Sequence, residues 1–517
     1  MSEPLDNSLN KVARGTGIAI VGMTAGLLFG FIAKLVIAKH GMEANYGMFS
    51  LAMAVLNLAM LLACLGLHQG ATRYIAFTRA RGDTATVRKV ISVSIWSTSV
   101  ASILISIAVF LGADIIALSV FHNSQLAQFL RIFAAGIPFF TLLYIVAAIF
   151  RGFDRVAPQV YFQYLTLNIL FVIFLLLAVV ADLPFVSVFY AYLLALVISF
   201  IGIVVYTIKR LSLPVIPTGE EADKDIIKHL FIFSVPLLGA ALLGTAELWI
   251  DTLILGYFKP SEVVGLYSAA YPLAQSISLP LFALILIYTP IVTGLYSRNL
   301  MADLKRSYTV LTKWLVFITI PIFLVLCLYP EYVLRLLFGK TYIGAAPALS
   351  ILSVGFIVST LLGPSVATLI ALGKSRFIMW AALVSVAVNV ILSIVLIPSL
   401  SIVGAAVASA VSLSLFAIIR AVRLYTLCRA QPLSRNLLKP LVVSVVLALL
   451  FQLIFGNLIF VMWYMLPLLF ILYYAIYGIA TVLSRSFDKE DIVMLLEVEK
   501  RIGINAEPIK KILRRFL

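Results

Sequence analysis

The chain has 517 residues, of which 63% are hydrophobic and 12% are charged, and its mean hydropathy is +1.12. This composition excludes a soluble globular protein. The net charge of +16 is compatible with an anionic partner, but its distribution along the chain indicates membrane topology and not nucleic-acid binding.

Apolar runs of the length needed to cross about 30 Å of hydrocarbon recur along nearly the whole chain. They predict an all-α polytopic membrane protein with fourteen spans. The predicted spans are 16–38, 46–69, 90–112, 130–150, 159–181, 185–208, 233–257, 265–293, 310–329, 347–371, 378–398, 401–423, 438–456 and 459–483.

Positive charge alternates between the predicted loops. Of the 38 Lys and Arg residues, 31 lie at the N-terminus, in alternate loops and in the C-terminal tail, whereas the opposite loops hold five. Two more, Lys34 and Lys313, fall within spans. By the positive-inside rule we expect a multi-pass protein of the cell membrane with both termini in the cytoplasm.

The sequence carries no signature of a catalytic or metal site. Cys64, Cys327 and Cys428 form neither a disulfide framework nor a metal cluster, and the four histidines are scattered. The longest outward loops span about 20 residues, with no nucleophile–base constellation and no phosphate-cradling glycine loop. We therefore expect neither an enzyme nor a cofactor, apart from a coupling Na⁺ or H⁺.

An internal repeat organises the chain. "YGMFSLA" (46–52) matches "VGLYSAA" (264–270) at an offset of 218, and "LRIFAAGIPFFTLL" (130–143) matches "LSILSVGFIVSTLL" (349–362) at 219. Each half then holds six spans that run with the same sense through the membrane. Duplicated parallel lobes are typical of rocking transporters, in which the substrate site lies where the lobes meet.

The repeat and the loops predict five segments. These are an N-lobe at 1–208 (helices 1–6), a cytoplasmic linker at 209–232, a C-lobe at 233–424 (helices 7–12), helices 13–14 at 425–484 and an amphipathic cytoplasmic tail at 485–517. The basic end of that tail, "PIKKILRRFL" (508–517), predicts an interfacial helix on anionic lipid.

The repeat also pairs amide side chains at matched depths. Asn57 matches Gln275, and Asn168 matches Asn389. Such amides are either glue between helices or part of a cavity or ion site, and both interpretations remain open. The first span carries Gly22, Gly26 and Gly30 at four-residue spacing, which predicts close approach of a second helix.

Two acids interrupt the seventh apolar run. Glu247 and Asp251 are four residues apart and share one face of a helix. Carboxylates are costly in hydrocarbon, so membrane proteins retain them mainly for function. We expect Glu247 to be a protonatable site, and Asp251 to be a cation ligand or the partner of a gate.

Three cations have an ordinary and a functional interpretation. Lys34, whose repeat partner is Thr252, is either a lysine that snorkels to the interface, a cavity cation for a diphosphate, or an ion-pair partner of Asp251. Arg14 and Arg73, at the cytoplasmic mouth, either follow the positive-inside rule or capture a diphosphate.

Four phrases carry a family resemblance. The chain resembles the flippase superfamily that joins multidrug extruders (MATE), lipid II flippases and polysaccharide-unit exporters, and within it the polysaccharide transporter branch. The phrases are "LGLHQGATRYIA" (65–76), "WIDTLILGYFKPSEVVGLYSAAYPL" (249–273), "LRLLFGKTYIGAAPALSIL" (334–352) and "SIVGAAVASAVS" (401–412).

The resemblance implies a V-shaped bundle of two lobes that exports lipid diphosphate-linked oligosaccharides by alternating access. It implies membrane lipids and polysaccharide-assembly proteins as partners. Lipid II flippases also have a cation site, which would correspond here to an acid of helix 7 (Asp251 or Glu247), Asn389, Ser393 and Ser409, with Na⁺ at Asp251, Asn389 and Ser409. The family acid at the Ser393 position is absent, which leaves sodium binding open.

A cation-coupled multidrug extruder on the same scaffold is the alternative function, because fold analogy alone does not exclude it. Such extruders commonly place an acid in the first helix. Here that helix carries Lys34 and neither Asp nor Glu across the predicted span 16–38. A cationic cavity suits an anionic lipid-linked sugar and repels cationic drugs, so the sequence favours the oligosaccharide flippase.

Overall fold

The computed structural model describes the backbone of residues 3–210, 224–431, 435–461 and 463–484, and the side chains of 21–210, 228–431, 439–454, 464–465 and 467–484. Throughout these residues the regular structure is helical, without strands. The predicted amphipathic tail at 485–517 and most of the predicted linker (211–223) lie outside the described residues. The chain divides into two compact units, Met1–Gly265 and Leu266–Leu517.

The described part of the first unit contains nine α-helices, two π-helical elements and the start of a tenth α-helix. They are α1 (Glu3–Ala63), α2 (Leu67–Ala80), α3 (Thr84–Leu111), α4 (Ala113–Ile115), a π-helical turn (Ile116–Val120), α5 (Gln125–Gly152), α6 (Ala157–Gln159), a π-helical segment (Val160–Thr166), α7 (Leu167–Val180), α8 (Ser187–Arg210), α9 (Lys224–Phe258) and α10 (Ser261–Gln275). The unit boundary falls within α10, so α9 belongs to the first unit. The lobe borders expected from the sequence stay a prediction.

The second unit continues from the C-terminal part of α10. Its further elements are a 3₁₀ turn (Ser276–Ser278), α11 (Leu279–Ser297), α12 (Met301–Leu328), α13 (Pro330–Leu337), a 3₁₀ segment (Lys340–Ala345), α14 (Ala346–Leu361), α15 (Pro364–Ala371), α16 (Ser375–Leu400), α17 (Ile402–Cys428), α18 (Arg435–Val461), a 3₁₀ turn (Trp463–Met465) and α19 (Leu466–Leu483).

Eleven helices of the described chain are long and apolar enough to cross a membrane. One of them, Val21–Ala63, covers most of the first and most of the second predicted span, because α1 continues through a kink at Met42. Met42 has φ 55°, a left-handed conformation that is costly for a side chain with a Cβ. The last two predicted spans fall on shorter described apolar helices, Lys439–Ile454 and Pro467–Leu483. The count of fourteen stays a prediction.

The predicted glycine stripe of the first span is a helix-packing surface. A Cβ at Gly22 would overlap the side chain of Val160, and one at Gly26 would lie 2.7 Å from Cβ of Tyr164. A Cβ at Gly30 would lie 3.2 Å from Oδ1 of Asn168. Each step of four residues from one glycine to the next on α1 is matched by a step of four residues between their contact partners, from Val160 to Tyr164 to Asn168. The helix α1 therefore runs along the π-helical segment and the start of α7. The expectation of close helix approach is confirmed.

An aromatic cluster forms part of the core of the first unit. The rings of Phe129 and Phe189 stack with centroids 4.1 Å apart, and Phe133 lies 5.0 Å from Phe189. Phe49 joins them from α1 at 5.6 Å from Phe189. These contacts tie α1, α5 and α8 together, and offset or tilted ring pairs add about 0.5–1.5 kcal/mol each beyond their buried area.

Candidate functional site

The two acids of α9 have different exposure. Asp251 is 1% exposed, and Thr252 beside it is 6% exposed, whereas Glu247 is only partly buried. An ionised carboxylate at a buried position must be balanced by a cation, by hydrogen bonds or by protonation. Asp251 therefore has the environment of a cation ligand or proton carrier more clearly than Glu247 has.

Lys34 lies in α1 of the same unit and is partly buried. In the part of the chain that the structure describes, no hydrogen bond or ion pair reaches its ammonium group. The ion pair with Asp251 considered from the sequence is thus not formed in this conformation. A lysine inside a membrane span without a carboxylate partner is a position at which an anionic ligand would be favoured.

The amides of the first unit bond to their own helices. Nδ2 of Asn57 donates to the carbonyl oxygen of Met53, and Nδ2 of Asn168 donates to that of Tyr164, both at 2.8 Å. Both side chains are partly buried. Each bond uses one of the two N–H donors of an amide, which has two further acceptor positions on its oxygen.

A buried polar network joins α16 and α17 in the second unit. Nδ2 of Asn389 donates to Oγ of Ser412 at 3.1 Å, and Oγ of Ser393 donates to Oδ1 of Asn389 at 3.3 Å. Oγ of Ser412 donates to the carbonyl oxygen of Ser409 at 3.0 Å, and the Ser409 hydroxyl lies 2.9 Å from that of Tyr267. All five residues are at most 3% exposed.

This network brings together the three second-unit residues that the resemblance assigned to a cation site, and it adds Ser412 and Tyr267. Neutral amide and hydroxyl oxygens are ligands suited to a hard cation such as Na⁺, although a carboxylate raises the affinity. The described residues contain no group of three or more His, Cys, Asp and Glu side chains placed to hold a metal. Gln275, at the end of α10, is partly buried.

The cytoplasmic arginines of the sequence prediction are in different situations. The guanidinium of Arg73 is exposed and lies 4.2 Å from the centroid of the Phe233 ring, which joins α2 to α9. This cation–π contact gives Arg73 a packing role in this conformation. Arg14 lies in α1, but its side chain is outside the described residues.

The structure shows a polar cluster that the sequence analysis did not identify. His68 is 5% exposed, its ring lies 5.4 Å from that of Tyr144, and its Nδ1 atom has no hydrogen-bond partner in the described structure. Arg151 is partly buried and lies within electrostatic range of His68, Tyr144 and Tyr164. These residues come from α2, α5 and the π-helical segment, so no local motif could have indicated their proximity.

The cluster combines a guanidinium, an imidazole and two phenol rings. A guanidinium forms paired hydrogen bonds with phosphate oxygens. Aromatic faces next to polar groups provide contact area at a low cost in side-chain entropy. Lys34 is a further partly buried cation of the same unit.

Comparison with protein families gives two matches. Residues 12–293 match the family model described as "Polysaccharide biosynthesis protein", and residues 236–395 match the MatE family model. The first match covers more than half of the chain.

Curated relatives come from bacteria and archaea. The chain is 24% identical over 151 residues to the teichuronic acid biosynthesis protein TuaB of Bacillus subtilis, an alignment that covers 29% of this chain and 31% of TuaB. It is 27% identical to the probable low-salt glycan biosynthesis flippase Agl15 of Haloferax volcanii over 38% of this chain and 41% of Agl15. It is 23% identical to the stage V sporulation protein B of B. subtilis over 81% of this chain and 84% of that protein.

Solved structures with the same fold include a flippase and a drug transporter. An inward closed lipid II flippase MurJ superposes with a TM-score of 0.70 at 15% identity, covering 89% of this chain and 97% of that chain. An inward-facing MATE multidrug resistance transporter of the MOP superfamily superposes with a TM-score of 0.66 at 14% identity, covering 81% and 99%. At such identities the similarity establishes a common fold.

Proposed function

Because this chain belongs to the polysaccharide biosynthesis protein family, a branch of the MOP superfamily, we propose that it is a flippase for lipid diphosphate-linked oligosaccharides. It would move the saccharide from the cytoplasmic to the outer leaflet by alternating access. It is a multi-pass membrane protein with eleven described candidate spans, and its named relatives include flippases and transporters.

The anionic substrate class is inferred mainly from the environment of Lys34. It is a partly buried cation in the first membrane helix, and the described residues offer it no carboxylate. A cation in low-dielectric surroundings is stabilised when an anion enters. The diphosphate of a lipid-linked sugar supplies that anion, whereas a cationic drug would be repelled.

The polar cluster of the first unit supports the same substrate. Arg151 and His68 offer donors for phosphate oxygens, and Tyr144 and Tyr164 offer faces and hydroxyl groups for a sugar. We include these four residues with Lys34, Asn57 and Asn168 in the proposed substrate site of the first unit. The proposed substrate site also includes Arg14, Arg73 and Gln275, for which the support is their position in the sequence and its repeat.

Coupling to a cation is the second element of the proposal. In it, Na⁺ binds near Asn389, Ser393 and Ser409 with Asp251 as the acid, or a proton binds at Asp251 or Glu247. The support is the burial of Asp251 and the buried oxygen-rich network of α16 and α17. A buried carboxylate that exchanges a cation can drive a change between two conformations.

Cation-coupled drug extrusion is the alternative, favoured by the MatE match and the MATE neighbour. A deletion strain of the source organism separates the two functions. Accumulation of lipid-linked repeat units on the cytoplasmic face would support the flippase. Intact surface glycan together with increased sensitivity to cationic dyes would support the extruder and overturn the proposal.

A further inference from the structure

Three exposed cations lie where α16 begins and α17 ends, both in the second unit. Lys374 and Arg376 flank the first residue of α16. Arg423 comes from the last turns of α17, and its Cζ atom lies 5.3 Å from the centroid of the Phe377 ring of α16. Lys374, Arg376 and Arg423 are called the cationic patch below.

The packing beneath the cationic patch fixes its position. Phe377 packs against a buried cluster that contains Tyr308 of α12 together with Leu424 and Cys428 of α17. The cation–π contact of Arg423 is therefore made with a ring that is itself held in place. The patch is thus a surface built jointly by two helices and supported by a third.

No carboxylate balances this charge in the part of the chain that the structure describes. The cationic patch makes no ion pair there, and the sequence from Tyr332 to Phe487 contains neither Asp nor Glu. The equivalent turn of the first unit differs. Arg155 is equivalent to Arg376 at an offset of 221, and Asp154 beside it pairs with Arg79 at 2.8 Å. The positive-inside rule explains the cations at both turns, but it does not explain why only one turn has an acid.

An exposed apolar surface continues from the cationic patch along α16. Trp380 lies one turn after Arg376 on the same side of the helix and is 61% exposed. Leu383 and Val384 follow one turn later and are exposed, whereas the stripe of α16 that contains Asn389 is buried. Exposed apolar side chains of a membrane span contact lipid, and tryptophan is enriched where the span meets water. Trp380, Leu383 and Val384 are called the apolar face of α16 below.

We propose that the cationic patch and the apolar face of α16 together bind an anionic phospholipid of the surrounding bilayer. The headgroup phosphate accepts hydrogen bonds from the guanidinium groups, which suit paired contacts with phosphate oxygens, and the ammonium group adds charge. The acyl chains lie along the apolar face. Basic pockets between membrane helices are known to bind anionic headgroups in this way.

A bilayer phospholipid fits the patch better than the proposed transport substrate does. The apolar face is exposed toward the bilayer, whereas Lys34, His68 and Arg151 of the proposed substrate site belong to the first unit. The site is also separate in sequence from the basic segment 508–517, for which anionic lipid is predicted from the sequence and which lies outside the described residues.

Quenching of Trp380 fluorescence measures lipid binding at the site itself. The full chain, with its other four tryptophans replaced by phenylalanine, is reconstituted in vesicles of lipids with brominated acyl chains, because bromine quenches a tryptophan that it contacts. We expect Trp380 to prefer phosphatidylglycerol over phosphatidylcholine about fivefold or more, and less at high salt. Trp96 of α3 is the control reporter, since it is 64% exposed and has no charged residue within four positions. Equal preferences at Trp380 and Trp96 would overturn the site.

Two triple variants then test the cations. The patch variant replaces the cationic patch with glutamine (Lys374→Gln, Arg376→Gln and Arg423→Gln). The control variant removes the same charge from three exposed cations of the first unit, on the side that the charge pattern assigns to the cytoplasm (Arg155→Gln, Lys209→Gln and Arg210→Gln). The preference for phosphatidylglycerol at Trp380 should fall to that of the control reporter in the patch variant and persist in the control variant. Persistence in both variants would contradict the proposal.

Thermal unfolding gives an independent answer where the single-tryptophan protein does not fold. Phosphatidylglycerol added to detergent-solubilised protein should raise the unfolding midpoint less in the patch variant than in the control variant. The segment 508–517 is unchanged in both variants, so lipid bound there cancels in the comparison. Equal rises would contradict the site.

Competition separates the two anionic lipids. A polyprenyl diphosphate lipid should relieve the quenching of Trp380 by brominated phosphatidylglycerol no more than unbrominated phosphatidylglycerol of equal charge does. Much stronger relief would assign the patch to the transport substrate and overturn the proposal. These measurements require no transport, so they stand or fall independently of the proposed flippase function.

Discussion

Gly26 of α1 packs directly on Tyr164, and a Cβ at Gly26 would lie 2.7 Å from Cβ of Tyr164 and 2.8 Å from its carbonyl oxygen. Tyr164 is a member of the proposed substrate site. Its backbone packs against Gly26, and this contact fixes the point from which the tyrosine side chain extends. It therefore links the glycine stripe of the sequence to the cluster that Tyr164 forms with Arg151.

Gly26→Ala should destabilise the protein, because the methyl group meets main-chain atoms that cannot move aside. Overpacking of this kind costs about 1–3 kcal/mol. Thermal unfolding in detergent would show a lower midpoint for Gly26→Ala than for Gly294→Ala, whose methyl group meets no atom within 4 Å. Equal midpoints would show that α1 and the π-helical segment can separate without cost.

Lys34→Gln should reduce transport of a diphosphate-linked lipid while the protein still folds. Removing the cation removes the attraction for the diphosphate and also relieves the cost of a buried charge, so stability should hold or rise. Lys39→Gln is the matched control, since Lys39 is exposed and five residues away. Transport in proteoliposomes by Lys34→Gln at the rate of Lys39→Gln would remove Lys34 from the substrate site.

Asp251→Asn should abolish the dependence of transport on the coupling cation. The amide is close to isosteric but neither carries a charge nor accepts a proton at ordinary pH. Transport rates would be measured against Na⁺ and pH gradients for Asp251→Asn, Glu247→Gln and Asn389→Ala. Loss of Na⁺ dependence in the first and third variants would indicate a sodium site. An unchanged ion dependence in all three would contradict coupling at these residues.

Asp83 lies outside the membrane-spanning helices, and its carboxyl group predicts that the stability of the start of α3 depends on pH. Hydrogen bonds from the side chain and the backbone N–H of Thr86 lower the pKa of the Asp83 carboxyl group, which caps α3. Because the pKa of Asp83 is lower in the folded than in the unfolded protein, the stabilisation from this cap is complete above the unfolded-state pKa of about 3.9. Its stabilisation is lost as the pH falls through the folded-state value. The protection factors of the amides at the start of α3 (intrinsic exchange rate divided by observed rate) should fall in that range. In Asp83→Ala they should already be lower at neutral pH and should not fall further.

Span positions could be predicted from the sequence because hydrocarbon thickness fixes the length of an apolar run. Thus α8 (Ser187–Arg210) closely follows the predicted span 185–208. The continuation of α1 through Met42 could not be predicted, because a methionine with a positive φ carries no local signal. The same limit applies to the unit boundary within α10, which depends on contacts between distant segments.

The repeat indicates one residue of the candidate site, whose role stays a prediction. Asn389 was identified as the partner of Asn168, and the structure places it in a buried network. Ser412 and Tyr267 were missed, because serines and tyrosines are common in membrane helices and only packing brings these two to Asn389 and Ser409. His68 and Arg151 were missed because each has an ordinary interpretation in the sequence. His68 is one of four scattered histidines, and Arg151 is one of the loop cations that follow the positive-inside rule.

A flipping assay tests the central claim most directly. Purified protein is reconstituted in liposomes with a fluorescent disaccharide on a polyprenyl diphosphate, and the fraction accessible to an impermeant quencher is followed. We predict that the protein accelerates exchange of this lipid between leaflets, and that it does not accelerate exchange of the same saccharide on an uncharged lipid. Equal acceleration of both lipids, or of neither while a cationic dye is transported, would contradict the account.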